Sequence, residues 1–356
     1  MKSKLIILAI LLTVMSCDNA GSKQIAEAND NPKEVVCFVY HRFGDGRYPS
    51  TNISLPDFKA HLDYLKKEGF NVVTFSQAID YLRSSDPVQK TAVISVDDGY
   101  DSFYENGLPL LEARDYPATL FINTESVGGA DYMCWEDLKD ARSRGIEIGN
   151  HTHSHAYFLN QPEQKRYDNF KSELKLTQKL IKEKLDYLPT TFAYPYGELD
   201  TKMREIVESL GFKGAAAQNS GVISSSTDLL RCPRFPMSES YAAIDKFKSK
   251  ADMHALSVIE EKPLSFIKPA NTDKPKLVLK VKIGALKKAQ INCFIQGSDC
   301  NVSTQNIDEE TTEVTIVPTS PVNNRRRFLY TITVRDKSGE WHWFSHLWIN
   351  PAVNDT

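Results

Sequence analysis

The sequence has no large excess of charge of either sign, no long hydrophobic run and no internal repeat. Its 43 lysine and arginine residues nearly balance 46 aspartate and glutamate residues among 356, and the formal net charge is −3. A chain with this balance lacks the basic surface that nucleic-acid binding requires, so we expect no nucleic-acid partner. The apolar fraction of 41% is that of an ordinary globular protein, and the length suits one large and one small domain.

An apolar stretch at the N-terminus is too short to span a membrane as a mature anchor. It occupies residues 5–14 and follows two lysines, which predicts an export signal at residues 1–16. Cys17, directly after a small residue, resembles the lipobox of bacterial lipoproteins. The resemblance implies a lipid anchor at Cys17, a polar tether at residues 17–34, and a place in the cell envelope facing the periplasm or the cell surface. In the alternative, the signal is an ordinary secretory one and Cys17 has no such role.

Cysteine is also scarce, with six residues in the chain. Only Cys293 and Cys300 look close enough in sequence for a local bridge. Export to an oxidising compartment permits a disulfide between them. Two buried free thiols agree equally well with the six intervening residues, which also fit a simple hairpin.

Between residues 35 and 262, short apolar segments alternate with amphipathic ones whose apolar residues recur every three or four positions. Residues 54–69 illustrate the amphipathic kind. Ser54 can cap a helix, Pro56 suits its first turn, and Gly69 suits its C-terminal cap. We predict strands at residues 35–40, 71–75, 92–96, 118–122, 146–149, 191–194 and 214–217. The alternation predicts an α/β fold with a parallel sheet covered by helices, either open or closed into a barrel.

The pattern changes after residue 262. Residues 263–275 contain three prolines and predict a linker. Strand-like runs without intervening helices follow at residues 277–283, 314–317 and 328–334. They predict a small all-β sandwich domain over residues 276–356.

Three of the four tryptophans fall in the last one or two predicted strands, at Trp341, Trp343 and Trp348. Exposed tryptophan rings can stack on sugars. Their alternating spacing favours packing in the core or between domains instead.

Two adjacent carboxylates end one of the predicted strands. Asp97 and Asp98 follow the apolar run at residues 91–96. Like charges at a buried strand end cost stability unless a cation or a proton compensates them, so the pair indicates a metal site. A second predicted strand leads into His151 and His155, whose neutral imidazoles suit zinc. One carboxylate with two imidazoles leaves coordination positions open, as in catalytic sites.

Three motifs in this order resemble those of the polysaccharide deacetylases, the NodB-homology family. They are Ser-Val-Asp-Asp-Gly at residues 95–99, His-Thr-His-Ser-His at residues 151–155 and Ala-Tyr-Pro-Tyr-Gly at residues 193–197. The resemblance covers about residues 35–245, and each motif lies at the end of a predicted strand. It implies an irregular (β/α) barrel with functional residues at the C-terminal ends of its strands, in a catalytic domain at residues 35–262.

The resemblance also implies roles for the aspartates and histidines. Asp98, His151 and His155 are expected to bind a divalent metal, with zinc as the expected ion. Asp97 is expected to be the general base, because the metal takes up the charge of Asp98 while Asp97 stays free to accept a proton. His153, between the two histidine ligands, is expected to face away.

The third motif resembles the loop that lines the acetyl pocket in this family. It implies that Pro195 and Tyr196 contact the substrate and that the backbone N–H of Tyr196 donates to the oxyanion. Gly197 beside it permits a close approach of the backbone. A proline turn that simply ends a strand predicts the same local sequence.

The sequence departs from the family pattern where an arginine often holds the catalytic base, because this chain has Ala193 there. We expect Arg234 to take over the role, since prolines on both sides fix the direction of its segment. Arg231 is the alternative, and a surface salt bridge is another possibility for Arg234.

A second departure concerns the general acid, which in many members is a histidine in a late Leu-x-His triplet. No such triplet occurs between residues 230 and 262. His254 lies in the corresponding region and is a candidate, although its surroundings indicate a helix surface. His41, after the first strand, is the other candidate, and the resemblance implies rather that it shapes the pocket or binds substrate.

The leading hypothesis is a metal-dependent hydrolase that removes N- or O-linked acetyl groups from a polysaccharide outside the cytoplasm. One alternative is a non-catalytic glycan-binding lipoprotein on a degenerate barrel, whose β sandwich binds the glycan. The retained aspartates and ligand histidines oppose it, because a binding module has no use for a charged metal triad. A second alternative is a hydrolase of small amides on the same fold, although a membrane tether and an accessory sandwich suit a polymer better.

Overall fold

Residues 34–251 form a curved, mostly parallel β sheet surrounded by helices. The computed structural model describes residues 32–287 and 290–354. The predicted export signal and Cys17 lie outside these residues, as does nearly all of the predicted tether. Within the described part of the chain, no helix has both the length and the hydrophobicity needed to cross a membrane.

The regular elements of the curved sheet and its helices occupy residues 34–251. The strands are β1 (Glu34–Tyr40), β2 (Arg42–Phe43), β3 (Asn52–Ile53), β4 (Asn71–Val73), β5 (Thr91–Asp98), β6 (Ala118–Ile122), β7 (Ile146–Asn150), β8 (Thr191–Ala193), β9 (Gly214–Ala216), β10 (Val222–Ser224) and β11 (Phe235–Pro236). The α-helices are α1 (Leu55–Lys67), α2 (Phe75–Arg83), α3 (Leu108–Glu112), α4 (Trp135–Ser143), α5 (Glu163–Leu185), α6 (Thr201–Ser209) and α7 (Ile244–Ala251).

The main sheet has the strand order β10–β1–β5–β6–β7–β8–β9, and every neighbouring pair except β10 and β1 is parallel. One segment links its two ends. Cys232 pairs with Ala216 of β9, and Phe235 of β11 pairs with Phe38 of β1. The expected irregular (β/α) barrel is therefore confirmed as a curled half-barrel, bridged by residues 232–236.

Local sequence signals account for most element boundaries. Each strand predicted between residues 35 and 217 agrees with the structure to within two residues at either end. Helix α1 begins after Ser54, whose side chain accepts a hydrogen bond from the Asp57 backbone N–H, and the left-handed Gly69 follows its end. The apolar stripe of this helix is buried against the sheet, as the periodicity predicts.

The C-terminal part is all-β and consists of two four-stranded sheets. Its strands are β12 (His254–Ala255), β13 (Val258–Lys262), β14 (Leu277–Lys282), β15 (Asn292–Ile295), β16 (Cys300–Asn306), β17 (Thr311–Pro318), β18 (Arg327–Arg335) and β19 (Trp341–Ile349). The sheet orders are β12–β19–β18–β15 and β13–β14–β17–β16. Strand β12 precedes residue 262, where we placed the end of the catalytic domain, and β13 ends at that residue. Lys33–Thr356 forms one compact unit, so the domain boundaries stay a prediction.

The cysteines and tryptophans of this part have structural roles. Cys293 and Cys300 form a disulfide with a Cα–Cα distance of 6.0 Å. Trp348 is buried in the core between the two β sheets, whereas Trp341 and Trp343 pack against the core of the barrel. The tryptophans therefore pack in the core and between the two parts of the protein, as their spacing favours.

Candidate active site

Neighbouring parallel strands bring carboxylate and imidazole side chains to one edge of the sheet. The register aligns Asp98 of β5 with Ile122 of β6, and Ile122 with Asn150 of β7. His151 follows Asn150 directly, so it lies at the level of Asp98. Because the carboxyl ends of parallel strands meet at the same edge, residues from distant motifs share one site.

The three predicted metal ligands come together at this edge. Asp98, His151 and His155 each offer one ligand atom, and these atoms lie within 4.8 Å of one another. Asp98 Oδ1 is 3.5 Å from His151 Nε2 and 3.4 Å from His155 Nε2. Ligand atoms about 2.1 Å from a tetrahedral ion are about 3.4 Å apart, so this spacing suits an ion such as zinc.

Hydrogen bonding also fits a cation at this cluster. Asp98 Oδ1 is buried and has no hydrogen-bond partner among the described residues, which is costly for a carboxylate oxygen unless an ion balances it. His151 Nδ1 lies 2.8 Å from the carbonyl oxygen of Ala193 and donates to it. A ligand histidine fixed in this way turns Nε2 towards the metal.

The pKa shifts of the cluster residues also favour metal binding. Burial favours the neutral carboxyl, but the neighbouring histidines outweigh it and hold the pKa of Asp98 well below its usual range. Burial lowers the pKa of His155 to about 4, so this ring is neutral and able to bind a metal. Burial would lower the pKa of His151 as well, but the nearby carboxylate of Asp98 outweighs burial and raises it overall. A bound cation would compete with the proton of the protonated His151 for the side chains of Asp98 and His151.

The backbone around the cluster adopts a conformation that L-residues rarely use. Four non-glycine residues there have positive φ angles, namely Asp98 at 76°, Thr152 at 67°, His155 at 53° and Tyr196 at 58°. Such backbone strain concentrates at functional sites, where the surrounding packing maintains it.

Asp97, the predicted general base, is fully buried and pairs with Arg234. Arg234 Nη1 donates to Asp97 Oδ1 at 2.7 Å, and Nη2 donates to Oδ2 at 2.8 Å. Burial alone would raise the pKa of Asp97, but the charge of Arg234 outweighs burial and the pKa is lowered. The pairing expected for Arg234 is therefore present. Arg231, the alternative, pairs with Glu261 at 2.7 Å instead.

The loop of the third motif lies against the metal cluster. Pro195–Gly197 forms a single 3-10 turn after β8, and the ring of Tyr196 is 4.4 Å from that of His155. A side chain at Gly197 would meet the backbone nitrogen of Gln218 at 2.7 Å, so only glycine fits there. Tyr196 therefore lies beside the cluster, while the substrate contacts expected of Pro195 and Tyr196 and the role of the Tyr196 N–H stay predictions.

Two further histidines that the sequence analysis considered, His41 and His153, lie outside the metal cluster. His41 lies after β1, close enough for its charge to act on Asp97 and Asp98. His153 Nδ1 is 2.9 Å from Thr124 Oγ1, and His153 is not part of the metal cluster.

The structure corrects the expectation for His254. It lies in strand β12 rather than on a helix, and its Nδ1 is 2.7 Å from Glu34 Oε2. Glu34 begins β1, whereas Tyr40 and His41 lie at the other end of that strand, next to the site. A strand of seven residues spans about 20 Å, so His254 is too far away to be the general acid.

The sequence analysis did not find Glu198, which follows the third motif. Glu198 accepts from Arg326 Nε at 2.6 Å and Nη2 at 2.7 Å, and from Arg327 Nη1 at 2.8 Å. Both arginines belong to the β sandwich, so this carboxylate ties the loop of Tyr196 to the C-terminal part. In the sequence, the only signal was an acidic residue directly after the motif.

Known proteins resemble this chain over the barrel. A family model described as polysaccharide deacetylase matches residues 84–215. A poly-beta-1,6-N-acetyl-D-glucosamine N-deacetylase of Staphylococcus aureus is 23% identical over 259 residues, which cover 63% of this chain and 89% of that protein.

Two solved structures share the fold. Streptococcus pyogenes deacetylase PplD in complex with acetate has a TM-score of 0.57 at 20% identity, covering 62% of this chain and 99% of that chain. IcaB from Ammonifex degensii has a TM-score of 0.54 at 26% identity, covering 62% and 98%. The family model ends before Arg234 and the β sandwich, so neither of these is part of the matched segment.

Proposed function

We propose that this chain is a metal-dependent hydrolase that removes acetyl groups from a polysaccharide outside the cytoplasm, since its residues 84–215 match a family model described as polysaccharide deacetylase. The observation that supports this most directly is the cluster of Asp98, His151 and His155 beside the Asp97–Arg234 pair. A binding protein would gain nothing from a buried carboxylate oxygen without a hydrogen-bond partner.

The chain supplies distinct groups for each part of the hydrolysis. Asp98, His151 and His155 would hold a divalent cation, with zinc as the proposed ion, and the cation would polarise the acetyl carbonyl as a Lewis acid. Asp97 would accept the proton of the attacking water. The backbone N–H of Tyr196 would donate to the developing oxyanion.

The proton for the departing sugar nitrogen or oxygen has to come from another group. We assign it to His41, because His254 is remote, whereas His41 follows Tyr40, which pairs with Val96 next to Asp97, and is not one of the proposed metal ligands. If so, His41→Ala lowers kcat for acetamides, which need protonation of the leaving amine, far more than for aryl acetates. Equal losses on both substrates would contradict this role.

The proposed substrate is a polymer of N-acetylglucosamine. The Staphylococcus aureus relative bears the name of such an N-deacetylase and aligns with 63% of this chain. We further propose export and lipidation at Cys17, on the lipobox resemblance alone. Cys17→Ser should release the protein from the membrane fraction and abolish its labelling with radioactive palmitate.

The decisive measurement is acetate release from acetylated glycans, including β-1,6-linked poly-N-acetylglucosamine, before and after chelation and after zinc is restored. We expect release that stops with chelator and returns with zinc. Asp97→Asn should lower the rate at least about 100-fold, the usual contribution of a general base.

A matched pair of histidine variants tests the ligand set. His155→Ala should lose both metal content and activity, whereas His153→Ala should keep both, because His153 lies outside the cluster. Zinc binding without acetate release from any glycan would instead support the glycan-binding alternative.

A further inference from the structure

A groove of about 650 Å³ lies between the barrel and the β sandwich and begins at the candidate active site. Tyr196, whose ring contacts His155, is part of its lining. The barrel contributes residues from β11 to α7, and the sandwich contributes residues of β15, β18 and β19. The volume is typical of ligand-binding clefts.

The sandwich wall of this groove is the outer face of the sheet β12–β19–β18–β15. Side chains alternate along β18, so that Phe328 and Tyr330 are buried in the sandwich core while Leu329 lines the groove. An outer face of this kind is usually polar and faces water. Here Phe294 and Leu329 form an apolar surface beside the candidate active site, and the buried Leu347 lies at its base.

Buried polar contacts hold the two walls together. The carbonyl oxygen of Ser220 on the barrel accepts from Trp343 Nε1 at 2.9 Å and also from Ser345 Oγ. Asn219 Nδ2 donates to the carbonyl oxygen of Ser345 at 3.2 Å. Because these groups are satisfied only when the sandwich is docked on the barrel, the groove is a fixed feature of the fold.

Two exposed aromatic rings line the groove from opposite walls. Phe294 on the sandwich is 62% exposed, and Tyr241 on the barrel is 52% exposed. Exposed rings that gather at one cleft, unlike scattered ones, mark a binding surface. Flat rings of this kind pack against the apolar faces of sugar rings.

The charges of the groove suit a neutral occupant better than a cationic one. Lys246 and Lys250 line it, and the one acid among the described lining residues, Asp245, has an almost fully exposed side chain 3.8 Å from Lys248. The Lys250 ammonium lies 3.6 Å from the ring centre of Trp343. A sugar that has lost its acetyl group carries an ammonium, which these lysines would repel.

We propose that this groove binds the N-acetylated sugar units next to the unit that is deacetylated, and that it disfavours units already deacetylated. The inference rests on the proposed function for the identity of the glycan. It goes beyond that function in giving the β sandwich a share in binding the polymer.

The test is a titration of β-1,6-linked N-acetylglucosamine oligomers into the protein, with chelator present so that no turnover occurs. We expect the hexamer to bind more tightly than the dimer. Phe294→Ala and Tyr241→Ala should each weaken hexamer binding about fivefold, in line with the loss of one aromatic contact, and leave dimer binding unchanged. Ile307→Ala removes an exposed apolar side chain elsewhere on the sandwich and should change neither.

A second comparison isolates the charge preference. The fully deacetylated hexamer should bind at least about tenfold more weakly than the acetylated one at low salt, and Lys246→Gln should narrow this gap. Hexamer binding that is equal in the wild type, Phe294→Ala and Tyr241→Ala would overturn the proposal. So would equal binding of the two hexamers.

The same variants separate this proposal from the proposed function. Acetate release from a small aryl acetate, with zinc present, should be unchanged in Phe294→Ala and Tyr241→Ala. Absence of release by the wild type would count against the deacetylase, while the titrations under chelation would still decide whether the groove binds the glycan.

Discussion

Asp97 and Asp98 are neighbours in sequence but meet different partners. Successive side chains of an extended strand point to opposite faces. At Asp98 the extended strand ends, because this residue has a left-handed φ of 76°. Asp98 therefore turns to the histidines while Asp97 stays paired with Arg234. Arg234 compensates the charge of Asp97, and a cation held by Asp98 and the histidines would compensate that of Asp98, which answers the cost of placing two acids together at a buried strand end.

This arrangement predicts a large effect of removing Arg234. Arg234→Ala leaves the Asp97 carboxylate buried without its partner, which should lower the free energy of unfolding by about 3–5 kcal/mol. It should also lower the rate of acetate release about 10- to 100-fold, the usual effect of losing a group that orients a catalytic residue. Urea denaturation and acetate assays at neutral pH measure the two effects.

Arg231→Ala is the matched control for this prediction. Arg231 pairs with Glu261 and makes no contact with Asp97, so its loss should leave the rate of acetate release within about twofold of wild type. A rate that falls equally in both variants would mean that Arg234 acts through general stability and not through Asp97.

Among the larger elements, the turn between β8 and α6 depends on the sandwich. Pro195–Gly197 carries the proposed oxyanion donor. Glu198, directly after it, is held by Arg326, which precedes β18, and by Arg327, the first residue of that strand. Both Glu198 and Arg326 are buried, so neither charge can be satisfied by water if the other is lost. The pair thus fixes the position of the turn that carries Tyr196.

We predict that Glu198 and Arg326 act as one unit in positioning this turn. Glu198→Ala and Arg326→Ala should each lower kcat on an aryl acetate about tenfold, and the double variant should lose little more, with a coupling energy above about 1 kcal/mol. KM for this small substrate should change less than kcat, because the turn carries the proposed donor to the developing oxyanion. A double-mutant cycle in kcat measures the coupling.

Glu205→Ala, which removes an exposed glutamate on α6, is the control and should leave kcat unchanged. Additive losses in the double variant would show that the two residues contribute separately. The positioning role of the pair would then have to be abandoned.

For the molecule as a whole, a feature of the fold or of the candidate site could be predicted from the sequence when its interacting residues are close together in the chain. Strand and helix periods, the cap at Ser54 and the ligand motifs are local signals, and the structure bears out the elements that they predict. Arg234 could be predicted because Ala193 occupies the position where the family often has the arginine that holds the catalytic base. Glu198 was missed because its partners come more than 120 residues later, and no local pattern specifies how a sandwich docks on a barrel.

The error at His254 has the same origin. Its neighbours have helical spacing, but residues 254–255 pair with β19, and Ala255 pairs with Trp343. The side chain then meets Glu34 on the barrel, so that His254 joins the two parts of the protein. Tertiary pairing overrides the local preference at such short segments.

The His254–Glu34 contact predicts a pH dependence of stability. The hydrogen bond to Glu34 raises the pKa of His254 above its value in the unfolded chain, and Glu340 and Asp336 act in the same direction. The contribution is therefore complete below about pH 6.5, where both states are protonated, and is lost as the pH rises through the higher pKa of the folded state. The stability difference between wild type and His254→Gln should shrink from pH 6 to pH 9, as measured by urea denaturation.

The same variant also tests the catalytic correction, because His254→Gln should retain wild-type acetate release at a pH where it is fully folded. In a protein that already carries Glu34→Gln, adding His254→Gln should no longer change stability in a pH-dependent way, because both substitutions remove the same interaction. His342 is the nearest other imidazole, with its ring 5.3 Å from that of His254, so His342→Gln serves to show that the titrating group is His254. A difference that stays constant with pH, or a loss of activity in folded His254→Gln, would contradict the placement of this histidine as a link between barrel and sandwich.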